Sequence, residues 1–271
     1  MTEPSRTEVV ANIEDSLVAQ WSHFGLWPRG ELHEEHGLTW IEAPMRHLPY
    51  NAVVRTHLDP DSADDALDMV LGRYRERGVN FMWIDHPSAT PDDLGLRLTE
   101  RGLEPVEVAT GMSLELADWQ PTVPTPLVRE AVDDAALEAY GDLLMRYWEI
   151  PEDEQGLVTE LHQYWSPSRA TGHRFLAFDS DGAPIGKGYL SLAGPSGVAS
   201  IFGMSVVPEA RGGGVASAIT TAMLRRAQEE GFARAVLHSS EAAVSVYRRA
   251  GFVERCELRV YATNSLWSQG H

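Results

Sequence analysis

Between Val198 and Ala262 the hydrophobic pattern switches repeatedly between the period of a strand and that of a helix, and few architectures accept that order. Val198–Val207 is a long strand-like run. Gly212–Glu230 follows with Val215, Ile219, Ala222, Met223 and Ala227 at spacings of three and four, one apolar helix face. Ala233–His238 reads as a short buried strand, Glu241–Ala250 as a helix stopped at Gly251, and Phe252–Ala262 as a closing strand. A strand, a crossover helix and another strand predict parallel pairing inside a mixed sheet.

The stretch before this block supplies its antiparallel part. Ala131–Trp148 reads as a helix, with Asp133 and Asp134 where carboxylates suit the helix dipole. Arg174–Asp179 and Ile185–Leu192 are strands around the turn Asp179-Ser-Asp-Gly182. Gly194-Pro-Ser-Gly197 is a further turn.

The N-terminal half repeats the ending of the pattern. Asn51–Leu58 reads as strand, Ala63–Arg77 as helix, Phe81–Asp85 as strand, Asp92–Arg101 as helix and Val106–Leu116 as strand. Arg73–Gly78 resembles Arg225–Gly231 in kind, and Leu98–Leu103 resembles Tyr247–Phe252. These likenesses predict a degenerate internal duplication. Pro208 to Gly231 spans 23 residues and Pro60 to Gly78 spans 18, so the first copy is five residues shorter, where the second carries Arg211–Val215. The proline-rich Trp119–Pro126 reads as a linker. The expected organisation is one domain at 1–118, a linker at 119–126 and a second domain at 127–271, each an α/β fold with a mixed sheet flanked by helices.

Composition narrows the partners. The net charge is −18 and the pI about 4.9, which disfavours nucleic acid and anionic membrane. The N-terminus lacks a signal-peptide pattern and no run of apolar residues is long enough to span a bilayer. One cysteine, Cys256, rules out an internal disulfide framework. A cytoplasmic protein is expected, with a homodimer left open. Lysine and arginine together number 22, and Lys187 is the one lysine. That skew reads as coding bias.

Chemistry concentrates at Val206-Val-Pro-Glu-Ala-Arg-Gly-Gly-Gly-Val-Ala-Ser217. Glycines between a strand and a helix let the backbone turn tightly and approach a ligand. The first helical turn offers unpaired N–H groups and the positive end of the dipole, an anion cradle suited to pyrophosphate. Arg211 adds a fixed charge. A Walker loop would need a lysine that this segment lacks, and a dinucleotide fingerprint would need a glycine where Ser217 stands.

On these residues the chain resembles the GNAT acetyltransferase superfamily. Arg211, Gly214 and Ala216 stand at the places of its Arg/Gln-x-x-Gly-x-Gly/Ala motif, after Val206-x-Pro208. Ser240, Ala243, Tyr247, Gly251 and Phe252 fill a second pattern downstream, with Ser240 in place of the more usual Asn. The likeness covers roughly Leu127–Ala262, and the N-terminal half looks like a worn second copy of a tandem member.

The resemblance implies that a primary amine of a small molecule or amino acid attacks the thioester of acetyl-CoA directly. It implies that backbone groups of Met204 and Val206 meet the pantetheine amides in a splayed strand. Arg211, Gly212, Gly213, Gly214, Val215, Ala216 and Ser217 would hold the pyrophosphate, Ser240 and Ala243 would border the pantetheine arm, and Tyr247 would serve the leaving thiolate. A phenol is protonated at neutral pH and can serve as that acid; Tyr247 can equally be an amphipathic core residue. The expected base is open among Glu149, His162, His238 and a water, because the strand Val198–Val207 has no carboxylate. Tyr147–Glu154 and Tyr164-Trp165 lie where the family varies its substrate pocket, and aromatics with acids suit a cationic substrate. His33-Glu-Glu-His36 lacks the spacing of a zinc helix, so no metal is expected, and Cys256 reads as a buried small residue. A second reading is a non-catalytic acyl-CoA-binding module.

Overall fold

A computed structural model describes residues 5–121, 123–124, 127–165, 171–195 and 197–263. The first four residues, three positions of the proline-rich segment (122, 125 and 126) and position 196 of the Gly194–Gly197 turn lie outside them.

The chain forms two compact units. One holds Leu17–Ala109, Ile150–Leu161 and the stretch from Cys256 onward. After helix α1 (Arg6–Gly25) come β1 (Glu31–Glu35) and β2 (Leu38–Glu42), an antiparallel hairpin. β3 (Ala52–Thr56) pairs antiparallel with β2, α2 (Ala63–Arg77) crosses over, and β4 (Met82–Asp85) returns parallel to β3. α3 (Leu94–Glu100) leads into β5 (Glu104–Glu115). Trp40, Trp83, Tyr74 and Phe81 fill this core against Leu67 and Leu71 of α2. Gly78 ends α2 at φ +63, a left-handed cap that favours glycine.

The other unit holds Thr110–Glu149 and His162–Arg255, with the start of α1. β6 (Val128–Glu130), α4 (Asp134–Tyr147) and α5 (Glu152–Tyr164, of which only the end belongs here) precede the meander β7 (Gly172–Phe178), β8 (Pro184–Ser191) and β9 (Val198–Val206). α6 (Val215–Glu229) crosses to β10 (Arg234–Ser239), which is parallel to β9. α7 (Val244–Ala250) and β11 (Val253–Ala262) follow. β6 to β9 pair antiparallel in sequence order, so the sheet is mixed, as the pattern predicts.

The expected α4 begins later than Ala131. Asp133 is its N-cap, its side chain accepting from the Ala136 N–H at 2.8 Å, which fixes the first turn. α6 likewise begins at Val215 rather than Gly212, because Gly212 and Gly214 take positive φ and cannot continue a helix. Glu241–Ala243 turns first as a short 3₁₀ segment before α7.

The units do not follow the halves of the chain. Thr110–Glu115, from the end of β5, pairs antiparallel with β10. Arg259–Ala262, from the end of β11, pairs antiparallel with β4. Each unit thus takes its last strand from the far side of the proline-rich segment. Trp119, read from sequence as linker, packs in the core with Phe252 and Ala250 at 7% exposure. A ring of that size buries enough apolar surface to override the prolines after it. Cys256 is half-buried rather than buried.

Candidate acyl-donor site

The anion cradle is built by the path from β9 to α6. Pro208–Ala210 makes one 3₁₀ turn, Arg211 is extended, and Gly212 and Gly214 take φ of +76 and +83. A Cβ added at either glycine would meet nothing within 4 Å. Conformation demands glycine here, and the side toward solvent is open. Gly214 is the N-cap of α6, with no side-chain cap and no acidic residue in the first turn. The N–H groups of Val215, Ala216 and Ser217 therefore remain available to an anion at the positive end of the helix. Arg211 is exposed, and its Nε donates to the Val206 carbonyl at 3.2 Å, tying the loop to β9.

The corresponding helix of the other unit differs. α2 opens with Asp64 and Asp65 in its first turn, after Asp59 and Asp61. Carboxylates already serve the dipole there and repel a phosphate.

β9 has a bulge. Against β8, Lys187 pairs with Ser205 while Tyr189 pairs with Phe202, so Gly203 and Met204 face a single residue. Gly203 takes φ +57. On the other edge, β9 pairs with β10 over Val198–Ile201 only. Phe202–Val206 diverges beyond that point, with Met204 and Val206 half-buried. An edge of backbone polar groups is exposed between two parallel strands, a suitable partner for amides of an extended ligand.

α7 follows β10 through the turn at Ser240. Ser240 precedes the 3₁₀ turn, its carbonyl accepting from Ala243 N–H at 3.0 Å. Tyr247 is 5% exposed and meets Phe252 edge-on, ring centroids 5.9 Å apart. Burial, with a smaller contribution from nearby Tyr147, pushes its phenol well above the usual range. The ring is core; the hydroxyl keeps its proton.

The candidate bases separate. Glu149 is exposed, at φ +48 just after α4. His238 lies on β10 beside Phe202, centroids 5.5 Å apart. The ring of His162 is buried, its Nε2 finds no hydrogen-bond partner, and burial with Arg174 and Lys187 nearby lowers its pKa to about 3. So low a value makes His162 a poor proton acceptor at neutral pH. Two of the four acids of Tyr147–Glu154 are engaged elsewhere. Glu154 accepts from the backbone N–H of Arg46 and His47 at 3.1 Å, and Asp153 pairs with Arg46 at 2.9 Å. The His33-Glu-Glu-His36 segment brings His33 near Glu31 and Glu42, but Glu42 is paired with Arg73 at 2.6 Å and Arg77 at 3.3 Å. Those cations occupy the carboxylate that a metal would need.

Sequence reasoning passed over Lys187. Its flanking glycines, Gly186 and Gly188, face α6, where a Cβ at Gly188 would approach Ile219 to 2.9 Å. Alternation turns Lys187 to the opposite face. There it is 1% exposed, its Nζ donates to the Gly203 carbonyl at 2.7 Å, and the rings of Tyr140 and Tyr147 lie 5.1 and 5.8 Å away. The one signal in the sequence was a lone lysine kept in a strand where arginine is the chain's habit.

The model of the Acetyltransferase (GNAT) family matches residues 137–252, a stretch containing the whole cradle and Tyr247. A mycothiol acetyltransferase of Streptomyces avermitilis is 34% identical over 94 residues, 34% of this chain and 30% of that relative. The chain thus covers under a third of the length of that curated protein. The fold is shared with a GCN5-related N-acetyltransferase from Kribbella flavida, TM-score 0.67 and 19% identity over 92% of this chain and 95% of that one. It is shared also with a tandem GNAT protein from the clavulanic acid biosynthesis pathway, TM-score 0.60 and 16% identity over 94% of each chain. Among the described residues no helix is long and apolar enough to cross a membrane.

Proposed function

We propose that this chain is an N-acetyltransferase that moves an acetyl group from acetyl-CoA to a primary amine of a small molecule. The observation that carries the reading is the uncapped start of α6, with Gly214 at φ +83 and no acid in the first turn, beside Arg211. Val215–Ser217 N–H groups and the Arg211 guanidinium hold the pyrophosphate. Met204 and Val206, on the diverging part of β9, hydrogen-bond the pantetheine amides, and Ser240 and Ala243 border it.

Acetyl-CoA supplies an activated thioester carbonyl. The amine, once neutral, attacks the carbonyl carbon; the new C–N bond forms as the C–S bond breaks. The thiolate takes a proton from the Tyr247 hydroxyl, which burial keeps protonated at rest, and water carrying the proton that the amine gives up restores the hydroxyl. The amine's own proton leaves through water; His162, its pKa lowered to about 3, is a poor acceptor for it. The N-terminal unit is a worn copy of the same design without an anion site. It has the same order of a parallel strand pair bridged by a helix, β3–α2–β4 beside β9–α6–β10.

Titration calorimetry with acetyl-CoA should give one site per chain, lost in an Arg211→Glu variant. Thiol release from acetyl-CoA in the presence of pooled small amines should exceed that without them. Two sites per chain, or none, would overturn the assignment of the cradle. One site without amine-dependent thiol release would make the chain a non-catalytic binding module.

A further inference from the structure

Lys187 is the chain's only lysine, and among the described residues it is buried without a counter-ion. On α4 it faces the rings of Tyr140 and Tyr147. The α5 residue His162 and the β7 residue Arg174 are its other ionisable neighbours, with Tyr189 further along its own strand. Arg174 donates to the Trp165 carbonyl at 2.5 Å and lies over the Tyr140 ring. His162 and Tyr140 are uncharged at neutral pH, and Arg174, which shares the Tyr140 ring and the His162 surroundings with Lys187, carries the same sign of charge. No carboxylate among the described residues pairs with Lys187.

A buried ammonium with no anion beside it is costly and persists only where something local uses it. The strong partner here is the Gly203 carbonyl at 2.7 Å. Gly203 is the bulged residue of β9, at φ +57, between Phe202, where pairing with β10 has ended, and Met204. An extra residue in a strand leaves its peptide groups free to rotate unless they are tied. Lys187 is tied to the neighbouring strand, directly across the bulge.

We propose that Lys187 is a positioning residue for the acyl-donor site: its ammonium holds the Gly203 carbonyl, which turns the bulge so that the Met204 and Val206 backbone faces the pantetheine arm, and loss of its proton releases that hold. The proposal rests on the acyl-CoA reading of the cradle. The ammonium bond is charge-assisted and stronger than the amine's. Burial lowers the lysine pKa to about 7, so the hold weakens as pH rises through neutrality. Affinity for acetyl-CoA then falls on the alkaline side while turnover at saturation changes little, since Lys187 touches neither thioester nor amine.

Because there is one lysine, lysine labelled with ¹³C at Cε gives a single resonance from this side chain. In the ligand-free protein it should titrate near pH 7, and the Gly203 carbonyl ¹³C shift should follow the same midpoint. Lys187→Met should raise KM for acetyl-CoA roughly tenfold at pH 6.5, the scale of one lost charge-assisted bond. It should leave kcat within about threefold and abolish the rise of KM with pH. Lys187→Arg should restore part of the affinity with no pH dependence near neutrality, because guanidinium does not titrate there. A lysine midpoint near 10, or a Gly203 shift indifferent to it, overturns the proposal even if Lys187→Met misfolds. Wild-type KM in Lys187→Met does the same. Absence of acetyl-CoA binding by the wild-type protein would instead sink the functional reading, and the Gly203 titration would still decide whether Lys187 controls the bulge.

Discussion

The indole Nε1 of Trp119 donates to the backbone carbonyl of Ala250 at 2.9 Å. Ala250 is the last residue of α7, the helix that carries Tyr247, and its carbonyl has no intrahelical partner. A residue from the proline-rich stretch therefore closes the end of the helix bearing the candidate acid.

Trp119→Phe keeps most of the apolar volume and removes this donor. A buried carbonyl left without a partner costs about 1–3 kcal/mol. The unfolding free energy from urea titration should fall by that amount, as a lower midpoint with the m-value unchanged. An unaltered midpoint would show that water replaces the indole and that the contact is incidental.

Gly214→Val tests the cradle. A β-branched residue at φ +83 is strained by about 1–2 kcal/mol, so some loss of stability is expected regardless of function. Gly182→Val is the matched control: Gly182 has φ +84 and equally open surroundings, in the β7–β8 turn. Both variants should lose similar stability, and only Gly214→Val should lose acetyl-CoA affinity in calorimetry. Equal affinities in the two would remove the loop from the binding site.

For Tyr247→Phe the ring packing against Phe252 is kept and one hydroxyl is lost. If that hydroxyl protonates the thiolate, kcat and kcat/KM should fall together by about 10²–10³, with KM for acetyl-CoA little changed. A purely structural tyrosine would show near-normal turnover per folded molecule.

His162 gives a pH signature to folding. Its pKa is about 3 in the folded protein against an ordinary 6.5. Below 6.5 the unfolded chain binds a proton that the folded one refuses, so unfolding becomes easier as pH falls from about 6.5 toward 3. The steepest loss from this group is about 1.4 kcal/mol per pH unit. In His162→Leu that increment should vanish from the difference in denaturation curves between pH 7 and pH 4. Parallel pH profiles in the two proteins would mean that the ring is solvated on both sides of folding.

What the sequence disclosed follows from range. The strand–loop–helix at Val198–Glu229 is local: its period, its glycines and its missing cap acid all lie within neighbouring residues. The β1–β2 hairpin was silent because its turn is His36-Gly37, at φ +53 and +78. Histidine is no usual mark of such a turn, and the strand before it is mostly exposed, without alternation. α5 opens with three acids and reads as polar surface; its Glu154 is buried only because Arg46 and His47, over a hundred residues away, present their N–H groups. Lys187 carries no motif either. Its meaning lies in the carbonyl it reaches on the next strand.

The crossing of β5 and β11 into opposite units has a consequence for the handling of such a chain. Cleavage within the proline-rich stretch would leave each fragment short of one strand at the end of its sheet and in possession of the other's. Neither piece could then close its own core against water, and each would carry the missing part of its counterpart. Halves expressed separately should be insoluble or poorly folded, while the same halves produced together should re-form one particle. Simple fission of the chain therefore cannot separate the two units, since each half carries the strand that the other half's unit needs.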